Sequence, residues 1–388
     1  MGAGEALLDS TDHSPLRAAR ISISLVFLIH GIVVANWLSR IPAVQGKLGI
    51  EVGELGWILL AVPAGSVAAI PVTSRLIGRF GSAAMTRITT LLFCAALTLP
   101  GAAGGAISLA VSLFVYGACA AGMDVSMNTQ GVDVEREYGR PVMVGFHALF
   151  SVGCIAGSLM GSFAAGREIG PAGHLAVAGA ALGALAMLGL RRLLPDRVRP
   201  ASFDRSARAL WLPMLPLALI GACVLVAEGA TGDWSALYLS RFTSPAFAPT
   251  GYAVFSLAMA FGRMCGDWFH HHLGAVTTVR LGTSLAATGL AGALAIGGAW
   301  PALAGFACTG LGLSAIFPIV CSVAGRKAGT RPEAGIAAVT TTGYAALLAG
   351  PPVIGFLAHL YSLRLALGLI VALSGAAALL APAARIER

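Results

Sequence analysis

Apolar residues fill the chain in twelve long blocks, at about 20–42, 54–78, 86–104, 108–130, 143–165, 173–193, 211–239, 249–268, 277–298, 301–323, 335–358 and 364–384. Gly, Pro or charged residues bound each block. A helix needs ~20 residues to cross the hydrocarbon of a bilayer. The blocks are too long for the ~10-residue strands of a membrane barrel, and they do not alternate in and out. The pattern therefore predicts an all-α membrane protein with twelve transmembrane helices. The first block, preceded by Arg17 and Arg20, mimics a signal peptide over 21–35, but it continues through Asn36, Trp37 and Leu38 and reads better as a span.

The longest polar stretch, 191–208, carries six Arg, two Asp and two Pro and separates six blocks from six. The expected organisation is a cytoplasmic tail (1–19), a six-helix bundle (20–193), a cytoplasmic linker (194–210), a second six-helix bundle (211–384) and a short tail (385–388). The halves share a weak repeat at an offset of 193: Gly81 with Gly274, Arg87 with Arg280, Gly117 with Gly310, Ala156-Gly157 with Ala349-Gly350, Phe163 with Phe356 and Ala165 with Ala358. Equivalent positions at equivalent spans predict two pseudo-symmetric bundles.

Composition agrees. Only 11% of the 388 residues are charged, 57% are hydrophobic, and the mean hydropathy is +0.83. A soluble domain carries about 25% charged residues, so a soluble enzyme, a disordered chain and a secreted disulfide scaffold are excluded. The net charge of +8 does not point to nucleic acid, because no basic run adjoins aromatics. Of the 25 Lys and Arg, all but Arg40, Lys47, Arg167, Arg241 and Arg364 fall at one side when the N-terminus is placed in the cytoplasm. That bias predicts both termini cytoplasmic. The seven Cys lie inside apolar blocks without metal spacing, so no metal or cofactor is expected. No HExxH, paired-Asp or GxxxxGK[ST] motif occurs, which argues against an intramembrane protease and against ATP as driver.

The loop Ser74-Arg-Leu-Ile-Gly-Arg-Phe-Gly81, followed by Arg87, resembles the G-x-x-x-D-R-x-G-R-R loop of the major facilitator superfamily, with Gly78 in place of the Asp and Ala83-Ala84 in place of the basic pair. Its second-half counterpart runs from Gly262-Arg-Met-Cys-Gly-Asp-Trp268 to Gly274. Four further segments, 36–42 (NWLSRIP), 122–128 (GMDVSMN), 146–153 (FHALFSVG) and 227–238 (AEGATGDWSALY), resemble the MosC-like (rhizopine-permease-like) branch, related to fucose-permease-type transporters. The resemblance covers nearly the whole chain. It implies a secondary active transporter of a small solute, polyol or sugar-like, in the bacterial inner membrane. The lipid bilayer and the solute are the partners expected; no nucleic acid and no obligate protein partner are. It also implies a cytoplasmic latch, for which Arg79, Gly81, Arg263 and Asp267 are the candidates. A multidrug or metabolite exporter, a channel and a transporter-like membrane sensor are the alternatives.

Ionisable groups inside spans are costly, so they mark function first. Asp124 and His147 are expected on neighbouring antiparallel helices, 6–9 Å below one surface at 1.5 Å per residue. Together with Glu228 they are the proton-coupling candidates, the proton being the expected coupling ion. A fixed structural pair is the alternative for Asp124 and His147. Arg40 and Asp233 are outer-gate candidates, because the superfamily layout faces the first span to the seventh; both are also candidates for wet interfacial residues. His30, Asn36, Asn128, Trp37, Trp234, Phe317, Thr341 and Tyr344 are substrate-cavity candidates, with interfacial anchoring the alternative for the two Trp. Gly153, Gly157 and Gly161 predict close helix packing, expected at the interface between halves. The His270–His272 run reads as a solvated loop.

Overall fold

The computed structural model describes residues 14–139, 142–195, 211–329 and 332–385, and no strand occurs among them. The expected linker therefore lies largely outside the described residues, as do most of the two tails. Eleven helices among the described residues are long and apolar enough to cross a membrane. α1 is Ser14–Leu48. α2 is Val52–Leu59 with Ala61–Phe80, and α3 is Ser82–Ala96 with Thr98–Ala102. α4 is Ala106–Tyr138, α5 Met143–Gly166, α6 Pro171–Gly189 and α7 Trp211–Leu239. The run Thr250–Ile296 turns at Gly274 and supplies both α8 (250–273) and α9 (275–296). α10 is Ala299–Leu313 with Ile316–Lys327, α11 Pro332–Leu347 with Gly350–Leu360, and α12 Leu363–Ala366 with Gly368–Leu380. Divided in this way the described residues hold twelve spans, the number that hydropathy predicts, eleven of them meeting the length and apolarity needed to cross a membrane.

Proline explains where spans break. A Pro removes the hydrogen bond to the carbonyl four residues before it. Segments end at Leu59, Ala96 and Leu347, four residues before Pro63, Pro100 and Pro351, and α10 is interrupted at Ser314, four before Pro318. Pro42, Pro71 and Pro216 stay inside helices without an interruption.

The repeat is structural. Gly81 adopts φ 84°, ψ 163° and Gly274 φ 75°, ψ 166°, a region open essentially to glycine alone. The same turn thus reverses the chain in each half. A Cβ on Gly117 would lie 2.0 Å from the Val62 carbonyl oxygen, and one on Gly310 2.3 Å from that of Phe255. Val62 and Phe255 are themselves 193 residues apart, so α4 meets α2 as α10 meets α8.

Three of the five basic residues opposed to the charge bias serve helix ends. Lys47 Nζ donates to the carbonyls of Gly101 and Ala103 at 3.0 Å, where α3 ends. Arg364 donates to Leu294 and Ala295, where α9 ends. Arg40 donates to Ile169 at 2.5 Å, just beyond α5. Unpaired carbonyls at helix C-termini attract such cations. Large apolar side chains such as Ile107, Val177, Leu188 and Leu379 project outward, as a lipid-facing surface requires.

Gly153, Gly157 and Gly161 pack on α1 inside the first bundle, not between bundles. A Cβ at Gly157 would fall 2.5 Å from the Ile32 carbonyl oxygen, and one at Gly161 2.0 Å from Ser39 Oγ. The glycines face the helix that their own half supplies, so they fix α1 against α5 and offer no sliding surface.

Candidate functional site: a cavity between the two bundles

The bundles close on each other at the end away from Gly81 and Gly274. There α2 meets α11 backbone to backbone: a Cβ on Gly56 would lie 2.6 Å from Gly355 Cα and 2.7 Å from the Pro351 carbonyl oxygen. Gly232 of α7 approaches Leu38 of α1, and Tyr252 of α8 points its hydroxyl at Cys154 Sγ of α5, 3.7 Å away. Exposed His359 and Glu51 add a contact of 3.7 Å at the rim.

Toward the Gly81 end the bundles part around a cavity of about 900 Å³. α4 contributes Asp124, Val125 and Asn128; α5 contributes Met143 and His147. Across from them stand Leu225 and Glu228 of α7, Arg263, Gly266 and His270 of α8, residues 314, 315, 317–319 and 322 of α10, and Tyr344 of α11. The lining reaches Met143, the first residue of α5, and His270, four residues before Gly274. The opening is therefore at the Gly81 end.

Asn128 Nδ2 donates to Asp124 Oδ1 at 3.0 Å and to the Asp124 carbonyl at 2.8 Å, the i, i+4 geometry of one helix face. This fixes one oxygen of the carboxylate and leaves the group on the cavity wall. The His147 ring packs edge-on to Phe27, 5.1 Å between centroids. Asp124 and His147 share the cavity, but no hydrogen bond or ion pair joins them among the described residues. Gly131 meets Met143 and Phe146 across the α4–α5 contact. His147 is therefore level with the turn 128–131, and Asp124 lies a turn or more deeper. Asp124 lies deeper than the expected ~6–9 Å because α4 runs on to Tyr138.

Arg263 is the residue that sequence reasoning misplaced. It precedes the Gly274 turn by eleven residues, about 16 Å at 1.5 Å per residue. That is too deep for a surface latch; Arg263 stands in the cavity within electrostatic range of Glu228 and His147. Of the other latch candidates, Arg79 is exposed with its guanidinium 5.2 Å from the Phe80 ring, and Gly81 makes the turn. The side chain of Asp267 lies outside the described residues. His270, expected in a loop, is on α8 and lines the mouth.

Several other candidates are brought elsewhere. His30 is enclosed between Phe93 and Phe150, 5.3 and 5.4 Å away. Asn36 is fully buried and donates to the Ile32 carbonyl at 2.8 Å. Trp37 and Trp234 are buried in the helix packing, Trp37 beside Tyr116. None of these four lines the cavity, since each is buried in helix packing. Thr341 is exposed and outside the lining. Arg40 and Asp233 do not pair: Arg40 is held by the Ile169 carbonyl, and Asp233 faces a separate small chamber. Among the described residues no group of His, Cys, Asp and Glu could hold a metal ion.

The sequence profile of the Major Facilitator Superfamily matches residues 23–346. The chain belongs to the major facilitator superfamily. It is a multi-pass membrane transporter, not an enzyme. It is 33% identical over 361 residues to an MFS-type transporter of Yersinia pestis, covering 91% of this chain and 92% of that one. It is 31% identical over 357 residues to the membrane protein MosC of Rhizobium meliloti, covering 90% and 86%. The crystal structure of the Escherichia coli fucose:proton symporter FucP superposes with a TM-score of 0.65 at 15% identity, over 96% of this chain and 100% of that one.

Proposed function

We propose that this transporter carries a small hydroxylated solute, polyol or sugar-like, across the bacterial inner membrane together with protons, by rocking one bundle against the other. The observation that carries the reading is the cavity wall. Asn128, Ser322 and Tyr344 offer hydrogen bonds suited to hydroxyls, beside Arg263 and the carboxylates Asp124 and Glu228. Buried carboxylates bordering an aqueous path are the usual carriers of coupling protons. The name of FucP, a fucose:proton symporter, supports the same class of solute and ion. On this reading the arginine-rich Gly81 end and both termini are cytoplasmic, and the conformation is open to the cytoplasm.

Counterflow in proteoliposomes tests it, with a panel of linear polyols, cyclic polyols, monosaccharides and cationic drugs. The expected result is saturable exchange of a polyol or sugar, accelerated by an acid-outside gradient. Proton-driven extrusion of cationic drugs without polyol exchange would favour the exporter reading. Ligand binding with no exchange would favour a sensor.

A further inference from the structure

A second cavity, of about 210 Å³, lies directly beneath the closed end. Val62, Pro63 and Ser66 of α2 form one wall, Gly350 and Pro351 of α11 another, and Asp233 of α7 the third. Pro351 links it to the closed end, since its carbonyl oxygen meets Gly56. Tyr344 lines both this chamber and the central cavity, so one side chain belongs to the partition between them. Glu228 and Asp233 are five residues apart on α7, about 7.5 Å along the axis and well round the helix. They therefore face different compartments.

No hydrogen bond or ion pair reaches the Asp233 carboxylate among the described residues. The groups around it are mostly neutral. Tyr116 of α4 is within electrostatic range. Tyr344 stands on α11, and α2 presents only Ser66 and apolar residues. Tyr252 of α8 and Leu38 of α1 flank the neighbouring Gly232. The cations of the adjacent helices are engaged elsewhere: Arg40 of α1 with the Ile169 carbonyl, Arg263 of α8 in the central cavity. A carboxylate in such apolar surroundings requires an accompanying positive charge. The chamber far exceeds the roughly 10–15 Å³ that one water needs.

We propose that this chamber is a separate cation station, in which Asp233 takes up a proton or a small monovalent metal cation from the Gly56 side, with Tyr344 dividing it from Glu228. The proposal rests on the transport reading above and adds a second ion site to it. The single positive charge is the shared chemistry, and the test separates its two sources.

Infrared difference spectroscopy of the full chain in liposomes reads the carboxyl groups without a solute. One step acidifies the sample in the absence of sodium; a second adds sodium chloride at fixed pH, with choline chloride as control. The expected wild-type spectrum contains a carboxyl signal that Asp233→Asn removes, Glu228→Gln leaves in place, and Asp233→Glu restores at a shifted frequency. Suppression of that signal by sodium but not choline assigns the metal cation, and insensitivity to both assigns the proton. An Asp233→Asn spectrum superposable on wild type in both steps, from a sample with unchanged thermal unfolding, overturns the proposal. Loss of the Glu228 signal alone would count against the central-cavity reading while this site stands.

Discussion

Gly56 and Gly355 touch through their main chains, with no space for a methyl group between α2 and α11: a Cβ on Gly56 would lie 2.6 Å from Gly355 Cα. This contact closes one end of the molecule. An alanine there has no flexible side chain to displace, so the helices themselves must part. Overpacking of this kind costs about 1–3 kcal/mol, and a cost borne only by the closed form shifts the equilibrium about 5–150-fold toward opening. Gly56→Ala should therefore populate the form open at the Gly56 end. Spin labels at exposed positions 51 and 359, whose mutual contact is worth little, should report a longer distance distribution in the variant than in the parent.

Removing charge from Asp124 tests coupling. Asn128 is placed to bond an amide oxygen as it bonds the carboxylate, so Asp124→Asn should fold with unchanged thermal unfolding. It should abolish pH-driven uptake or efflux in proteoliposomes. Retained pH-driven transport would take Asp124 out of the mechanism.

Arg263 should act on the solute. Its guanidinium faces the central cavity opposite α4 and α5. A hydrogen bond to a charged group contributes about 1.5–3 kcal/mol, so Arg263→Ala should weaken solute binding about 10–150-fold. Arg263→Lys should recover only part of the loss, because an ammonium lacks the planar fork. Binding titrations on purified protein would read both variants.

The glycine face of α5 should govern stability alone. Gly157→Ala drives a methyl group into the Ile32 carbonyl oxygen and should cost about 1–3 kcal/mol. Gly375→Ala, with nothing within 4 Å of the added Cβ, should cost nothing measurable. Thermal unfolding of the two variants against the parent would show the difference.

The spans and the repeat were readable because hydropathy and glycine both act locally. Twenty apolar residues have one favourable solution in a bilayer, and Gly81 and Gly274 announce a backbone that other residues avoid. Asn128, Phe317 and Tyr344 were legible as cavity candidates and Asp124, His147 and Glu228 as proton-coupling candidates; all six line the cavity. Arg263 was not, because it sits in a segment that resembles a surface loop, although the eleven residues from it to the Gly274 turn set it about 16 Å deep. His30, Asn36, Trp37 and Trp234 were misplaced for another reason. Their spans are apolar all round, so no polar face tells which side looks into a cavity and which into packing. The partner of Arg40, a main-chain carbonyl, leaves no mark in the sequence.

Side-specific thiol labelling tests the central claim, that the space between the bundles is an aqueous path opened alternately at its two ends. Phe317→Cys places a thiol on the cavity wall at a partly exposed position, read over the background of the seven native cysteines. A membrane-impermeant reagent should reach it from the Gly81 side in the parent and, once Gly56→Ala is added, from the opposite side as well. A thiol unreachable from either side, or one whose access Gly56→Ala leaves unchanged, would contradict the account.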